Sequence, residues 1–457
     1  MKESQSSYFD SNEFLELLNS YESMVPDGAA RYFDGIDISN LAEFYSSMDE
    51  DGKAEEVIRF GLGIHPGDPD ILISKGHLLL RQGKSKEARA LAESISETGC
   101  RELLFLKGNI ELFDDDAEMA DRYFCQSVEA GFEDLGLYAD IVSLFTDYAL
   151  YDYAQKWLDK ALCIEPDYKD FLEQQADLYF AIQDYQKATD QYNLLLDESP
   201  YEIYYWEQLA LIAYRQEEWP KALECFEYME AIDPLYDSLG LIKAECLIEA
   251  NRYADAEKTL RAMLEQTPDA GEILFMLGNV LSLQQKNEEA LEYMEQAVGL
   301  IPDDPQMNLQ LAAVQHECGK FKDAACNLTK AFRCGFLTHP DNIRLLMIPL
   351  LQQEEIDVLC DMLIALFDIP ELDMKEYGVF LPALTMCCWQ SVREADFRKY
   401  FSICFDANSE NILKLFGITD LTTSKELAID VLISVAHAQS SVQEDENNSQ
   451  NETNPKE

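Results

Sequence analysis

WEQLALIAYRQEEWPKALECFEYMEAIDP, Trp206 to Pro234, decides the fold of this chain. Trp206, Leu209 and Ala210 recur at the three- and four-residue spacing of one helical face, and Ala222 and Phe226 begin a second run of the same kind. Pro234 closes that run, because proline cannot continue a helix but can open the next segment. The stretch predicts a helical hairpin.

Moving outward, the hairpin repeats. Alanines stand at Ala120, Ala154, Ala188, Ala222, Ala256, Ala290 and Ala324, each 34 residues after the last. With alanine near one residue in ten, six successive hits have a chance on the order of 10^-6. Prolines keep the same step at Pro166, Pro200, Pro234, Pro268 and Pro302, each 12 residues after its alanine. Twelve residues before the alanines the chain is again small: Ala42, Gly76, Gly108, Ala176, Ala210, Ala244, Gly278 and Ala312, with Val142 the exception. A small residue on each of two antiparallel helices lets the backbones approach, with apolar neighbours filling the flanks. Polar or glycine-containing links such as RQGKSK from Arg81 and ECGKF from Glu317 read as the turns between helices.

Residue for residue, this pattern resembles the tetratricopeptide repeat. Trp206, Leu209 and Ala210 match its first-helix signature, and Ala222, Phe226 and Pro234 its second; Leu277, Gly278, Ala290 and Pro302 repeat the match. The resemblance implies an all-α fold, a right-handed superhelical α-solenoid of antiparallel helix pairs with helical caps at both ends. Residues 35–338 then hold nine repeats. Residues 1–34 read as a lead-in with one capping helix, Phe14, Leu17, Leu18 and Tyr21 sharing a face. Residues 339–439 read as degenerate helical repeats and a C-terminal cap, with Ala383 and Ala395 hinting at one decayed repeat. Residues 440–457 are polar and acidic and read as a disordered tail.

Composition narrows the function. Against 87 acidic residues stand 35 basic ones, a formal net charge of -52. Nucleic acid and anionic membrane surfaces are poor partners for such a chain, since both need clustered Lys and Arg. The start MKESQSSYFDSNEF carries no apolar run of signal-peptide length, and the apolar stretches from Leu345 and Val358 are short of a membrane span, so a cytoplasmic protein is expected. The 12 cysteines show no C-x-x-C pairing and read as reduced thiols. Cys318, Cys326, Cys334 and the vicinal Cys387 and Cys388 read as buried small residues rather than metal ligands.

Chemical motifs are weak. GKS from Gly83 lacks the glycine five residues earlier that a phosphate-binding loop needs, Leu78 standing there, and Lys320 replaces the second histidine of a zinc-protease motif begun at His316. No cofactor, metal or catalytic residue is expected.

The resemblance does say where to look, for in such proteins the first helix of each repeat lines the concave surface. Asp170, Glu173, Asp177 and Phe180 share one face of the first helix around Ala176; Tyr204, Glu207, Tyr214 and Arg215 lie similarly about Ala210. Asp140, Glu245, Glu249, Phe275 and Asn279 complete the candidates. An acidic, aromatic groove for a basic or amphipathic segment is expected, although any surface of so acidic a chain would also look acidic. Some relatives clamp a C-terminal carboxylate with basic residues and asparagines; the matching positions are Glu173, Glu207, Leu241, Phe275 and Leu309, which would repel or ignore one. The reading is a scaffold or adaptor for a protein or peptide partner. Its rivals are a ligand- or peptide-sensing regulator and a helical enzyme with a cryptic site.

Overall fold

The computed structural model describes residues 9, 11–27, 32–96, 99–131, 134–234, 236 and 238–452, with backbone alone at 24–27 and 440–452. Among the described residues there are 24 α-helices and one 3-10 turn, and no strand. After α1 (Asn12–Asp27) come nine pairs: α2 (Gly35–Ser47) with α3 (Asp51–Ile64), α4 (Pro69–Arg81) with α5 (Ser85–Ser94), α6 (Arg101–Phe113) with α7 (Ala117–Glu129), α8 (Leu135–Asp147) with α9 (Tyr151–Ile164), α10 (Lys169–Ala181) with α11 (Tyr185–Glu198), α12 (Ile203–Arg215) with α13 (Trp219–Ile232), α14 (Gly240–Glu249) with α15 (Tyr253–Gln266), α16 (Gly271–Leu283) with α17 (Asn287–Leu300), and α18 (Pro305–Glu317) with α19 (Phe321–Arg333). Then follow α20 (Pro340–Gln352), α21 (Ile356–Phe367), the 3-10 turn Gly378–Phe380, α22 (Leu381–Gln390), α23 (Glu394–Leu415) and α24 (Lys425–Glu452). Contacts divide the chain into two compact units, Met1–Gln216 with Cys225–Pro234, and Glu217–Glu224 with Leu235–Glu457.

What turns each first helix into its second is one left-handed residue. Asp49, Gly83, Asp115, Ala149, Gln183, Glu217, Asn251, Gln285 and Gly319 all have positive φ, and the spacing is 34 residues except for one shorter repeat. At eight of these turns the amide that follows donates back to a carbonyl five residues earlier, as Glu50 to Tyr45 at 2.9 Å and Lys286 to Leu281 at 2.9 Å, so the helix end is closed without a side chain. Gly83 and Gly319 adopt this conformation without steric cost, and Asp49, Asp115 and Asn251 adopt it more readily than the remaining four.

The same device continues past the ninth pair. Glu354 and Val392 have positive φ of 59° and 54°, and Glu355 and Arg393 donate to Leu350 and Cys388, each at 2.9 Å. Thus α20 with α21 and α22 with the start of α23 are hairpins of the same construction. β-branched Val392 carries the strain such a residue meets there. We expect Val392→Gly to stabilise the chain by about 0.5–1 kcal/mol, strain relief outweighing the unfolded-state entropy of glycine, with a raised denaturation midpoint as the readout.

Small residues let helices approach within a pair and between successive pairs, where the sequence places them. Ala54, Ala88, Ala120, Ala154, Ala188, Ala222, Ala256, Ala290 and Ala324 are all fully buried. A Cβ on Gly76 would lie 2.5 Å from Leu106, and one on Gly108 would run into the Phe124 ring. In the two later hairpins the positions at the same distance from the turn are Met347 and Leu359, then Thr385 and Phe397. Leu359, Thr385 and Phe397 are buried. The decayed repeat therefore sits two residues from the register suggested by Ala383 and Ala395, and Ala395 is exposed. A larger apolar core replaces the alanine contact: Phe332, Leu346, Leu363, Leu384, Phe401 and Leu432 belong to one buried cluster.

At the N-terminus α1 buries Phe14 and Tyr21, with Phe14 5.1 Å from the Phe44 ring. Leu17 and Leu18 pack partly buried against the same cluster. At the other end α24 buries Ala428, Ile429, Leu432 and Ala436, and its backbone stays helical to Glu452. The backbone of residues 440–452 belongs to this helix, and residues 453–457 lie outside the described residues. Among the described residues no helix is long and apolar enough to cross a membrane.

The cysteine reading needs one correction. Cys387 and Cys388 are buried, but Cys326 and Cys334 are exposed and Cys318 only half-buried. Cys326 falls among the exposed positions of α19, and Cys334 lies in the turn that ends it, before the positive-φ Gly335.

Candidate functional site: a tyrosine-braced acidic helix face

In the first unit, the face predicted from α10 and α12 is built by interlocking side chains. Tyr192, on α11, donates its hydroxyl to Asp177 Oδ1 at 2.5 Å, and Tyr204, on α12, donates to the same oxygen at 2.7 Å. Tyr205 donates to Glu173, which also pairs with Lys169 Nζ at 3.4 Å. The Lys169 ammonium lies 5.7 Å from the centre of the Tyr205 ring, and the Tyr204 and Tyr205 rings are 6.0 Å apart. One level back, Gln174 Nε2 donates to the Ala139 carbonyl at 2.7 Å and to Ser143 Oγ at 2.9 Å, tying α10 to α8.

Local sequence accounts for this arrangement. Successive residues on a helix point about 100° apart, so Tyr205 is driven inward and is fully buried while Tyr204 stays 37% exposed. A buried phenol needs an acceptor, and the carboxylates one repeat earlier supply it. Burial pushes the Asp177 carboxyl up from the usual carboxylate range, while the two tyrosine hydrogen bonds oppose that rise. The Tyr192 and Tyr204 hydroxyls are pushed up by burial first and by the Asp177 charge second.

Of the residues singled out in the sequence, the structure brings together Glu173, Asp177 and Tyr204. Asp170, Glu207 and Tyr214 are half-buried on the same two helices, and Arg215 is exposed at the end of α12. Phe180 is half-buried, its ring 6.1 Å from that of Tyr185. Asp140, on α8, is half-buried, and burial raises its carboxyl. In the second unit, Glu245, Phe275 and Asn279 are half-buried and Glu249 is exposed. Sequence reasoning missed Tyr192, Tyr205 and Lys169. Tyr205 could have been found from its place beside Tyr204 and two repeat helices from Glu173.

Glu173 and Asp177 therefore brace neighbouring helices as well as charging the face. We expect Tyr192→Phe to destabilise the chain by about 1–2 kcal/mol, because a buried carboxylate loses a donor, and Tyr204→Phe to cost less, its hydroxyl being closer to water. Paired chemical-denaturation curves measure both. Among the described residues, no group of three or more His, Cys, Asp or Glu side chains could hold a metal ion.

Residues 243–305 match the tetratricopeptide-repeat family. A curated relative, the BBSome complex member BBS4 of Bos taurus, is 24% identical over 225 residues, covering 48% of this chain and 42% of that protein. The chain thus matches under half of that relative's length. Among solved structures, a tetratricopeptide repeat protein from Parabacteroides merdae aligns at 17% identity and a TM-score of 0.38, covering 54% of this chain and 98% of that one. YrrB, described as a TPR protein with an unusual peptide-binding site, aligns at 19% identity and a TM-score of 0.35, covering 39% and 93%. Residues 243–305, which match the tetratricopeptide-repeat family, fall inside a run of helical hairpins built with the same left-handed turn, so the fold seen there is the solenoid of paired helices that the repeat builds.

Proposed function

We propose that the chain is a protein-interaction scaffold of the cytoplasm that receives a partner segment on the face of α10 and α12. The segment presents Lys or Arg beside an apolar anchor. The observation that carries this reading is Tyr204: the residue is 37% exposed, yet its hydroxyl is held by Asp177. An aromatic held in place before binding loses little entropy on contact, which is what an anchor-receiving residue needs. Asp170 and Glu207 lie on the same two helices, and the net charge of -52 favours a basic partner over an acidic one. Twelve free cysteines fit a reducing compartment. The peptide-binding description of YrrB fits the same reading.

Glu173 supports Tyr205, so charge is best removed there without changing shape. The test uses the partner captured from native cells and purified, with association measured by stopped flow across ionic strengths. Wild type is expected to associate more slowly as salt rises, and a Glu173→Gln, Glu207→Gln chain to be roughly tenfold slower at low salt and nearly equal at high salt. Identical rates for the two chains at every ionic strength would overturn the proposal.

A further inference from the structure

The tenth hairpin opens on a helix that is apolar almost all round. On one side α20 buries Ile343, Leu346 and Leu350. On the other, Leu345, Ile348 and Leu351 are exposed at 56%, 62% and 45%. A helix of this kind normally has both sides covered. The neighbouring segments extend the apolar surface, Phe336 and Leu337 being 45% and 39% exposed and Val379 55%. Two contacts draw these segments together: Tyr377 donates to the Thr338 carbonyl at 3.1 Å, and the Arg344 guanidinium lies 5.7 Å from the centre of the Phe380 ring.

Charge says what covers the surface. Residues 336–380 contain nine acidic side chains and two basic ones, Arg344 and Lys375. Glu355, Asp357, Asp361 and Asp368 pair with Lys322, Arg393 and Lys399, and Asp341 pairs with Arg344 at 2.7 Å; Glu354, Glu371, Asp373 and Glu376 are exposed in the segments that flank the apolar residues, against the one exposed Lys375. A second copy of the chain would bring the same acidic rim against this one, and like charges across an interface oppose association. An apolar stripe rimmed by acids matches an amphipathic helix rimmed by Lys or Arg.

We propose that the outer face of α20, with Phe336, Leu337 and Val379, is a docking surface for an amphipathic helix with basic flanks from a different protein. It lies in the second unit and is independent of the site on α10 and α12.

The full chain and a labelled model peptide of about 18 residues test it, the peptide having leucine on one helical face and lysine on the other. A scrambled peptide of the same composition reports attraction by charge alone. Fluorescence anisotropy is expected to show the patterned peptide binding roughly tenfold or more tightly than the scrambled one, and Leu345→Ser with Ile348→Ser to remove that difference. Both substituted residues are exposed, so the thermal midpoint is expected to move by no more than about 2 °C. Equal binding of the two peptides would overturn the proposal, as would a double variant that still prefers the patterned one. Self-association of the wild-type chain in sedimentation that the double variant abolishes would also overturn it, by making a second copy the occupant.

Discussion

Replacing Gly278 with arginine is expected to destabilise the chain by several kcal/mol, roughly 3–5 kcal/mol, while Glu288→Arg changes stability by no more than about 0.5 kcal/mol. The contrast isolates packing from charge. A Cβ at position 278 would stand 2.5 Å from Met294 Cγ and 3.2 Å from the Ala290 carbonyl oxygen. Met294 can swing away, but the carbonyl belongs to the backbone of α17 and can yield only if α16 and α17 part. Leu277, Val280, Leu281, Ala290 and Met294 are buried around the contact, so separating the helices exposes all of them. Glu288 is exposed in the first turn of α17, where reversal loses only a favourable interaction with the helix dipole. Denaturant midpoints with unchanged slopes measure both effects, and equal midpoints would refute the close-contact account.

Deleting everything after Thr338 is expected to cause association or unfolding, whereas deleting residues 440–457 changes neither stability nor oligomeric state. The ninth hairpin leaves Leu328 and Phe332 for its successor to cover, and both are buried in the cluster that runs on through Ile343, Leu346, Leu363, Leu384, Phe401 and Leu432. Repeats of this type bury their apolar sides only against neighbours, so the cut lays open this buried cluster. Ala436 is the last buried residue among the side chains described in α24, and the deleted segment begins after it. Light scattering reads the outcome. A monomeric, fully helical product from the longer deletion would contradict the reading of residues 339–439 as a cap.

The sequence carried the repeat because small residues, alanine or glycine on the first helix and alanine on the second, recur at fixed spacing through Ala324. Beyond that point Met347 and Leu359, then Thr385 and Phe397, take over those positions, and the composition signal vanishes while the backbone hairpin persists. The turns were legible only as polar links. Nine of the eleven left-handed positions are not glycine, since a closed helix end tolerates other residues at modest strain. At the candidate site the acids could be placed on their helix face, but not their partners. Tyr205 meets Glu173 from 32 residues away, a relation fixed by how hairpins stack rather than by spacing along one helix.

The claim that a partner segment lies along α10 and α12 is tested most directly by hydrogen–deuterium exchange of the full chain, alone and with its captured partner. Residues Lys169–Ala181 and Ile203–Arg215 are expected to exchange more slowly in the complex, because binding there suppresses the local opening through which amides exchange. Unchanged exchange in both helices, with protection confined to other parts of the chain, would contradict it.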